Sequence, residues 1–146
     1  TRYPLVTGVQ TCALPISFVI WDGVFELHYL ENRGAAFGIL QGKKIFFVIF
    51  TLVVLCMIAY LYLKRIPDEK KFRPIDGICI LFFAGALGNF IDRVFRNYVV
   101  DFFYFKLIDF PVFNVADIYV TVAAFAMIIL GLFYYKEEDY NKIFHD

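Results

Sequence analysis

The strongest pattern along the chain is a set of three long apolar segments separated by polar stretches. The first segment, Ile45 to Leu63, contains nineteen residues without a charged side chain. The second runs from Gly77 to Phe95, and the third from about Asn114 to Tyr135. About twenty consecutive apolar residues are needed for a helix to cross a bilayer. The pattern therefore predicts an all-α membrane protein, a polytopic bundle with three spanning helices, formed by one domain over residues 17–146.

A different period precedes the first apolar segment. Between Val24 and Leu30, apolar residues alternate with Glu26 and His28. A period of two residues is typical of a strand with one buried face. The turn-forming residues Asn32 to Gly34 end the alternation. We therefore expect a small β-element near residues 24–32.

The distribution of basic residues predicts the orientation of the spans. The short loop over residues 64–73 carries five Lys and Arg side chains, and such loops lie on the cytoplasmic side. The β-element and residues 96–113 are then extracytoplasmic. We interpret residues 96–113 as a loop whose many aromatic rings suit a membrane–water interface.

Small residues inside the spans suggest how the helices pack. Ala84 and Gly88 have the small-xxx-small spacing that lets two helices approach closely. Cys56 and Cys79 lie within apolar runs, where we expect small buried hydrophobic side chains.

The overall composition supports a membrane protein and argues against other classes. The chain is 61% hydrophobic with a mean hydropathy of +0.68, whereas soluble domains are typically about 45–50% apolar. The net charge is zero, so nothing indicates a nucleic-acid partner. The cysteines lack zinc-site spacing, and His28 and His145 have no partner ligands nearby. We therefore expect no metal site.

Two aspartates at the edges of apolar segments are the best candidates for chemistry. Asp101 lies in VVDFF, and Asp117 lies in FPVFNVAD. Ionisable groups at a membrane boundary are costly and are therefore functional candidates. Two neighbouring carboxylates share protons unequally, so that one can act as an acid and the other as a base on water. The simpler interpretations are a solvated loop carboxylate for Asp101 and a helix-start residue for Asp117.

Polar residues around these aspartates form the rest of the candidate site. Asn114 precedes Asp117 by three residues, so it shares a helix face with Asp117 and is suited to cap that helix. Asn89, Asp92 and Arg93 also share a helix face. Their arrangement fits either a local network that secures the helix end or direct contact with a substrate.

The segment after the predicted strand is rich in small residues. Asn32 offers both a donor and an acceptor to a substrate backbone. Gly34, Ala35 and Ala36 would allow such a backbone to pass close. The alternative is a tight turn with no role in binding.

Three sequence blocks resemble one known family. They are ENRGAAFGIL (Glu31–Leu40), GALGNFIDR (Gly85–Arg93) and the pair of aspartate segments given above. With these blocks in this order, the chain resembles the lipoprotein signal peptidases, or signal peptidase II, which are bacterial inner-membrane aspartic proteases. The resemblance covers about Val24 to Tyr135. It implies catalysis by Asp101 and Asp117, with supporting roles for Asn32, Gly34, Asn89, Asp92, Arg93 and Asn114.

The resemblance also implies a reaction and its surroundings. The reaction is cleavage of a prolipoprotein signal peptide just before a cysteine that carries diacylglycerol, at an active site on the extracytoplasmic side of the inner membrane. The implied partners are lipid-modified prolipoproteins and membrane lipid, and the enzyme is expected to be a monomer. No metal or organic cofactor is implied. The intact family has four spanning helices, whereas this chain supplies three.

Residues 1–16 do not resemble the family. The stretch from Val6 to Ile16 back-translates into a common short-read sequencing adapter, and Thr1 and Arg2 fit the bases before its index. We therefore expect residues 1–16 to be a translated artefact that stands where the family has its first helix, with an Asp-Gln pair near the outer end. A divergent natural N-terminus is the alternative.

A rival interpretation comes from a different functional class. The same carboxylates could serve a non-catalytic membrane binding protein or a small proton-coupled transporter. A transporter would place Asp or Glu near the middle of the membrane, beside broken helices. The central stretches Ile45–Leu63 and Ala123–Leu132 carry no charge, which favours the peptidase.

Overall fold

The computed structural model describes residues 16–34, 40 and 42–145. The elements, in chain order, are β1 (Ser17–Trp21), β2 (Phe25–Asn32), α1 (Lys44–Tyr60) with a π-helical turn at Leu61–Arg65, a 3-10 turn at Lys70–Phe72, α2 (Arg73–Arg96), β3 (Val99–Phe105), a 3-10 turn at Lys106–Ile108, α3 (Val115–Phe133) and α4 (Glu137–Phe144). Ala35 and Ala36 lie outside the described residues, as does nearly all of the segment 1–16.

Three helices in the described part of the chain are long and apolar enough to cross a membrane, namely Lys44–Arg65, Lys70–Arg96 and Val115–Phe133. They correspond to the three predicted spans, so that prediction is confirmed. The third helix ends at Phe133 rather than at Tyr135. Helix α2 lies between α1 and α3 and packs against both. Few side chains on the three helices are buried inside the protein, as expected for helices surrounded by lipid.

The packing of α2 on α3 depends on glycine. A Cβ atom added at Gly85 would lie 2.6 Å from the carbonyl oxygen of Ala116 and 2.8 Å from Cγ2 of Val120. Gly88 also faces α3, because a Cβ added there would lie 3.4 Å from Cβ of Ala116. The small-residue contact therefore lies on the predicted helix and includes Gly88, but its tightest point is Gly85. Sequence spacing does not show which turn of a helix meets its neighbour.

A three-stranded antiparallel sheet lies at one end of the bundle, in the order β1-β2-β3. Strand β2 confirms the element predicted near residues 24–32. The interpretation of residues 96–113 as a loop is wrong, because β3 lies within that segment. Its sequence VVDFFYF has apolar residues on both faces, so it lacks the alternation that marks a half-buried strand.

Buried side chains cluster at the opposite end of the bundle, where α4 packs under the spanning helices. Phe72 and Tyr135 stack there with ring centroids 5.7 Å apart, and Ile58, Ile75, Cys79 and Ile143 complete the cluster. Cys79 is buried as expected, whereas Cys56 is exposed on α1, where the expectation was wrong. The short helix α4 has only eight residues, which are too few to give a clear hydrophobic period in the sequence.

Candidate active site

The two candidate aspartates lie at the sheet end of the bundle, on different elements. Asp101 is in β3, which follows α2 after only two residues, and Asp117 is in the first turn of α3. The chain returns from β3 to α3 through residues 110–113, and Phe113 pairs with Phe103 on β3. This return places the start of α3 beside the middle of β3, so that both aspartates lie close to Asn114.

Asp101 is almost fully buried and is held by two amides. Its side chain is only 2% exposed. Nδ2 of Asn32 donates to its Oδ2 atom at 2.8 Å, and Nδ2 of Asn114 donates to its Oδ1 atom at 2.7 Å. Both carboxyl oxygens are therefore satisfied, which a buried polar group requires.

The surroundings of Asp101 favour its protonated form. Burial raises the pKa of the Asp101 carboxyl above its ordinary value, and the negative charge of Asp117 raises it further. The hydrogen bonds from Asn32 and Asn114 and the positive charge of Arg93 act in the opposite direction. The net direction is upward, so Asp101 keeps its proton to a higher pH than an exposed aspartate does.

Asp117 closes a capping box at the start of α3. Its backbone N–H donates to Oδ1 of Asn114 at 3.0 Å, and the backbone N–H of Asn114 donates to Oδ2 of Asp117 at 3.1 Å. Nδ2 of Asn89 donates to Oδ1 of Asp117 at 2.9 Å. The capping role predicted for Asn114 is confirmed by this reciprocal pair.

Asn114 joins the two carboxylates into one network. Its Nδ2 atom donates to Asp101 and also lies 3.1 Å from Oδ1 of Asn89, which in turn donates to Asp117. Three asparagine side chains, from β2, α2 and the start of α3, therefore converge on the two aspartates. Neutral amides can hold two carboxyl groups together without neutralising either one, which is what acid–base chemistry by a pair requires.

Within the described residues, Asp92 and Arg93 make no hydrogen bond or ion pair to either aspartate. Oδ2 of Asp92 accepts from the backbone N–H of Val100 at 3.5 Å, and its Oδ1 atom lies 3.7 Å from Nε of Arg96. Arg93 donates to the carbonyl oxygen of Gly34 at 3.1 Å. Asp92 thus secures the junction of α2 with β3, while Arg93 ties α2 to the turn after β2.

The turn after β2 orients Asn32. The backbone N–H of Gly34 donates to Oδ1 of Asn32 at 2.9 Å, which leaves the amide nitrogen of Asn32 directed at Asp101. The guanidinium of Arg93, which holds Gly34, lies over the ring of Phe47 at 4.9 Å from its centroid. Asn32 and Gly34 thus form a local turn, and this turn positions the amide that donates to Asp101.

Sequence reasoning missed two residues that support this geometry. Gly85 lets the first turn of α3 approach α2, as described above. Lys44, at the start of α1, donates to Oδ1 of Asn97 at 2.6 Å and to the carbonyl oxygen of Val94 at 3.3 Å. A lysine at the edge of an apolar run is an ordinary flanking residue, so its sequence context carried no signal for this contact. Among the described residues, no three His, Cys, Asp or Glu side chains are grouped so as to hold a metal ion.

Comparisons with known sequences give a consistent result. A family model described as Signal peptidase (SPase) II matches residues 5–133. A lipoprotein signal peptidase from Streptococcus thermophilus (strain CNRZ 1066) is 47% identical over 117 residues, covering 80% of this chain and 72% of the relative. One from Streptococcus pyogenes serotype M5 (strain Manfredo) is 42% identical over 120 residues, covering 82% of this chain and 75% of the relative.

Solved structures agree with the sequence comparisons. A bacterial membrane enzyme determined by the in meso method at 1.9 Å resolution is 38% identical and has a TM-score of 0.72, covering 86% of this chain and 81% of that chain. A second such structure, at 2.3 Å resolution, has the same identity and TM-score and covers 84% of this chain and 74% of that chain.

Proposed function

Because this chain belongs to the signal peptidase II family, we propose that Asp101 and Asp117 form its catalytic pair. As a member of this family, the chain is an endopeptidase that removes signal peptides from prolipoproteins. The assignment of the pair rests on one observation. Asn114 donates its amide to Asp101 and also forms the capping box with Asp117, so a single residue holds both carboxyl groups in place.

The two aspartates have different surroundings, which suggests different roles. Asp101 is buried, and its raised pKa favours the protonated form, so we assign it the role of acid. Asp117 is partly exposed and accepts hydrogen bonds at both carboxyl oxygens. It lies in the first turn of α3, where the helix dipole favours negative charge. We therefore assign Asp117 the role of base.

The proposed reaction begins when Asp117 takes a proton from a water molecule as the water oxygen attacks the scissile carbonyl carbon. Asp101 gives its proton to the carbonyl oxygen, which forms a neutral tetrahedral intermediate. The C–N bond then breaks, and the leaving amine takes the proton held by Asp117. The hydroxyl proton returns to Asp101 as the carbonyl re-forms, so both groups recover their starting states.

The remaining site residues position this pair. Asn32 and Asn114 fix the Asp101 carboxyl, Asn89 fixes the Asp117 carboxyl, and Arg93 holds the turn that carries Asn32. The proposed substrate is a prolipoprotein whose cysteine carries diacylglycerol, because a site at the ends of spanning helices lies where a lipid-anchored cysteine can reach it. We place the site on the extracytoplasmic side of the bacterial inner membrane and expect the enzyme to work as a monomer.

The alternative of a proton-coupled transporter finds little support. Helix α1 contains no acidic residue, and Asp117 in the first turn is the sole acidic residue in α3. A proton relay needs ionisable groups in the interior of the membrane. These carboxylates lie instead at the helix ends, beside a sheet.

The test compares Asp101→Asn and Asp117→Asn with Asp22→Asn, a matched change in the exposed β1–β2 turn. Each protein is reconstituted in lipid and given a diacylglyceryl-modified prolipoprotein. Each of the first two changes should reduce cleavage by at least about a hundredfold, the usual scale for an acid–base group. The Asp22 variant should cleave normally. Near-normal turnover by either site variant in a folded protein would refute the assignment.

A further inference from the structure

The two faces of the sheet differ in chemistry. Residues directly opposite each other in an antiparallel sheet share a face, and side chains alternate between faces along each strand. The register therefore places a group of apolar side chains on the same face as Asp101, which we call the apolar face; its large members include Phe18, Trp21, Phe25, Leu27, Phe103 and Phe105. The opposite face is mixed, and carries Glu26, His28, Glu31 and Tyr104 beside the apolar Val19, Val100 and Phe102.

Two buried polar groups of the opposite face are paired within the protein. Glu26 is buried and lies 2.6 Å from Nζ of Lys106. The hydroxyl group of Tyr104, which is also buried, donates to Asp109 at 2.6 Å. The turn that carries Lys106 and Asp109 therefore covers this face of the sheet.

The apolar face is only partly covered. Phe25, Phe103, Phe105 and Phe113 form a ring of contacts, with neighbouring centroids 4.9–6.1 Å apart. On β1, at the edge of the sheet, Phe18 remains 67% exposed and Trp21 remains 68% exposed. Large apolar side chains left open together mark a surface that binds something apolar.

The direction of the apolar face follows from Asp101. This residue reaches Asn114, which caps the start of α3, so the apolar face is turned toward the ends of the spanning helices. The sheet is joined to these helices by Asn97 and Tyr98 on one side, and on the other by Phe113, which pairs with Phe103 and immediately precedes the Asn114 cap of α3. The sheet is therefore held at the level where these two helices end.

We propose that the apolar face rests on the membrane leaflet at the sheet end of the helices, with Trp21 at the boundary between headgroups and acyl chains. The occupant is lipid because the sheet lies at the ends of helices that are long and apolar enough to span a membrane, and Phe95 near that end of α2 is also 79% exposed. Tryptophan is also enriched at such boundaries. This contact holds Asp101 at membrane depth, and it does not depend on the catalytic assignment.

The test uses Trp21 itself, because it is the only tryptophan in the chain. The full chain is reconstituted in vesicles whose phospholipids carry a nitroxide either close to the headgroup or near the end of the acyl chain. The shallow nitroxide should remove most of the Trp21 emission, the deep one should remove less, and acrylamide added to the water should quench weakly. A Trp21 that is open to acrylamide and unaffected by both nitroxides overturns the proposal.

A matched control moves the fluorophore to the other face of the same strand. Val19 pairs with Glu26 on the opposite face of the sheet and is also exposed. In the double variant Val19→Trp with Trp21→Phe, lipid quenching should be largely lost. Equal lipid quenching at both positions overturns the proposal. Protection of Trp21 that appears only after a lipidated peptide is added also overturns the proposal, because the occupant is then substrate. Protection that appears only at high protein concentration does the same, because the occupant is then a second copy of the chain.

Discussion

At the scale of single residues, the site is organised around neutral amides rather than opposite charges. Asn32, Asn89 and Asn114 supply the hydrogen bonds to the two aspartates. Salt bridges with Lys or Arg would hold both carboxylates ionised at neutral pH. Amides instead let one carboxyl keep a proton, which the proposed acid–base reaction requires.

Replacing Asn114 separates its two roles. Asn114→Ser keeps a side-chain oxygen that can accept from the N–H of Asp117, but it lacks the amide that donates to Asp101. Serine is a good capping residue, so thermal stability should stay near that of the parent. Without that amide the Asp101 carboxyl is held less well in its reactive position, so kcat/KM should fall roughly tenfold to a hundredfold.

The comparison variant Asn114→Ala removes both contacts. It should lose the same activity and, in addition, about 1 kcal/mol of stability through the missing cap. Both quantities can be measured in detergent, by thermal unfolding and by cleavage of a lipidated substrate. Full activity in the serine variant would contradict the role given to the amide.

The pH dependence of cleavage reports on Asp101. The amide of Asn32 donates to the carboxylate and lowers the pKa of Asp101 against the stronger effect of burial. Removing that donor by Asn32→Ala raises the pKa further. The proposed acid must be protonated, so activity falls as pH rises through this pKa. The basic limb of the kcat/KM profile should therefore move to higher pH in the variant, and a shift to lower pH would contradict the assignment of Asp101 as the acid.

The sequence indicated the candidate site residues more readily than the contacts between them. Asp101 and Asp117 stand out because acidic residues are rare at the edges of apolar segments, and the spacing of Asn114 and Asp117 predicted the cap. The bond from Asn32 to Asp101 joins residues 69 positions apart. Such a contact depends on how β2 pairs with β3, and β3 itself was not predicted.

At the scale of elements, the contact between α2 and α3 positions Asp117. Gly85 faces the first turn of α3, where Ala116 and Tyr119 lie on either side of Asp117. The three spans were predictable because long charge-free segments have few alternatives. The single turn at which two helices touch was not, because many small residues lie along both.

A methyl group at Gly85 should disturb the site through α3. In Gly85→Ala the new Cβ would lie 2.6 Å from the carbonyl oxygen of Ala116, so α3 must shift. Overpacking of this kind typically lowers the free energy of unfolding by about 1–3 kcal/mol. The shift also moves Asp117, so the cleavage rate of the protein that remains folded should fall as well. Gly77→Ala is the control, because no heavy atom lies within 4 Å of its added Cβ. Unchanged activity in the Gly85 variant would show that the start of α3 tolerates the displacement.

At the scale of the whole molecule, the end opposite the sheet has nearly balanced charge. Lys71 of the loop pairs with Asp139 of α4, and Lys142 of α4 pairs with Glu69 of the loop. Helix α4 carries three acidic residues and one basic residue, so it offsets part of the positive charge of loop 64–73. Orientation in a membrane nevertheless follows Lys and Arg, since Asp and Glu contribute little to it. The five basic residues of the loop should therefore keep this end in the cytoplasm, and the site outside, despite the balance.

Cysteine labelling in intact spheroplasts tests this orientation. In a background with Cys12, Cys56 and Cys79 replaced by alanine, one variant carries Asp22→Cys in the β1–β2 turn and the other carries Glu138→Cys in α4. Both positions are exposed. An impermeant thiol reagent should label position 22 in intact cells and position 138 only after lysis. If net charge rather than Lys and Arg sets the orientation, the balanced end has no preference and both positions will label partly. The reverse pattern would place Asp101 and Asp117 in the cytoplasm, where a protein exported and lipidated at the outer surface could not reach them.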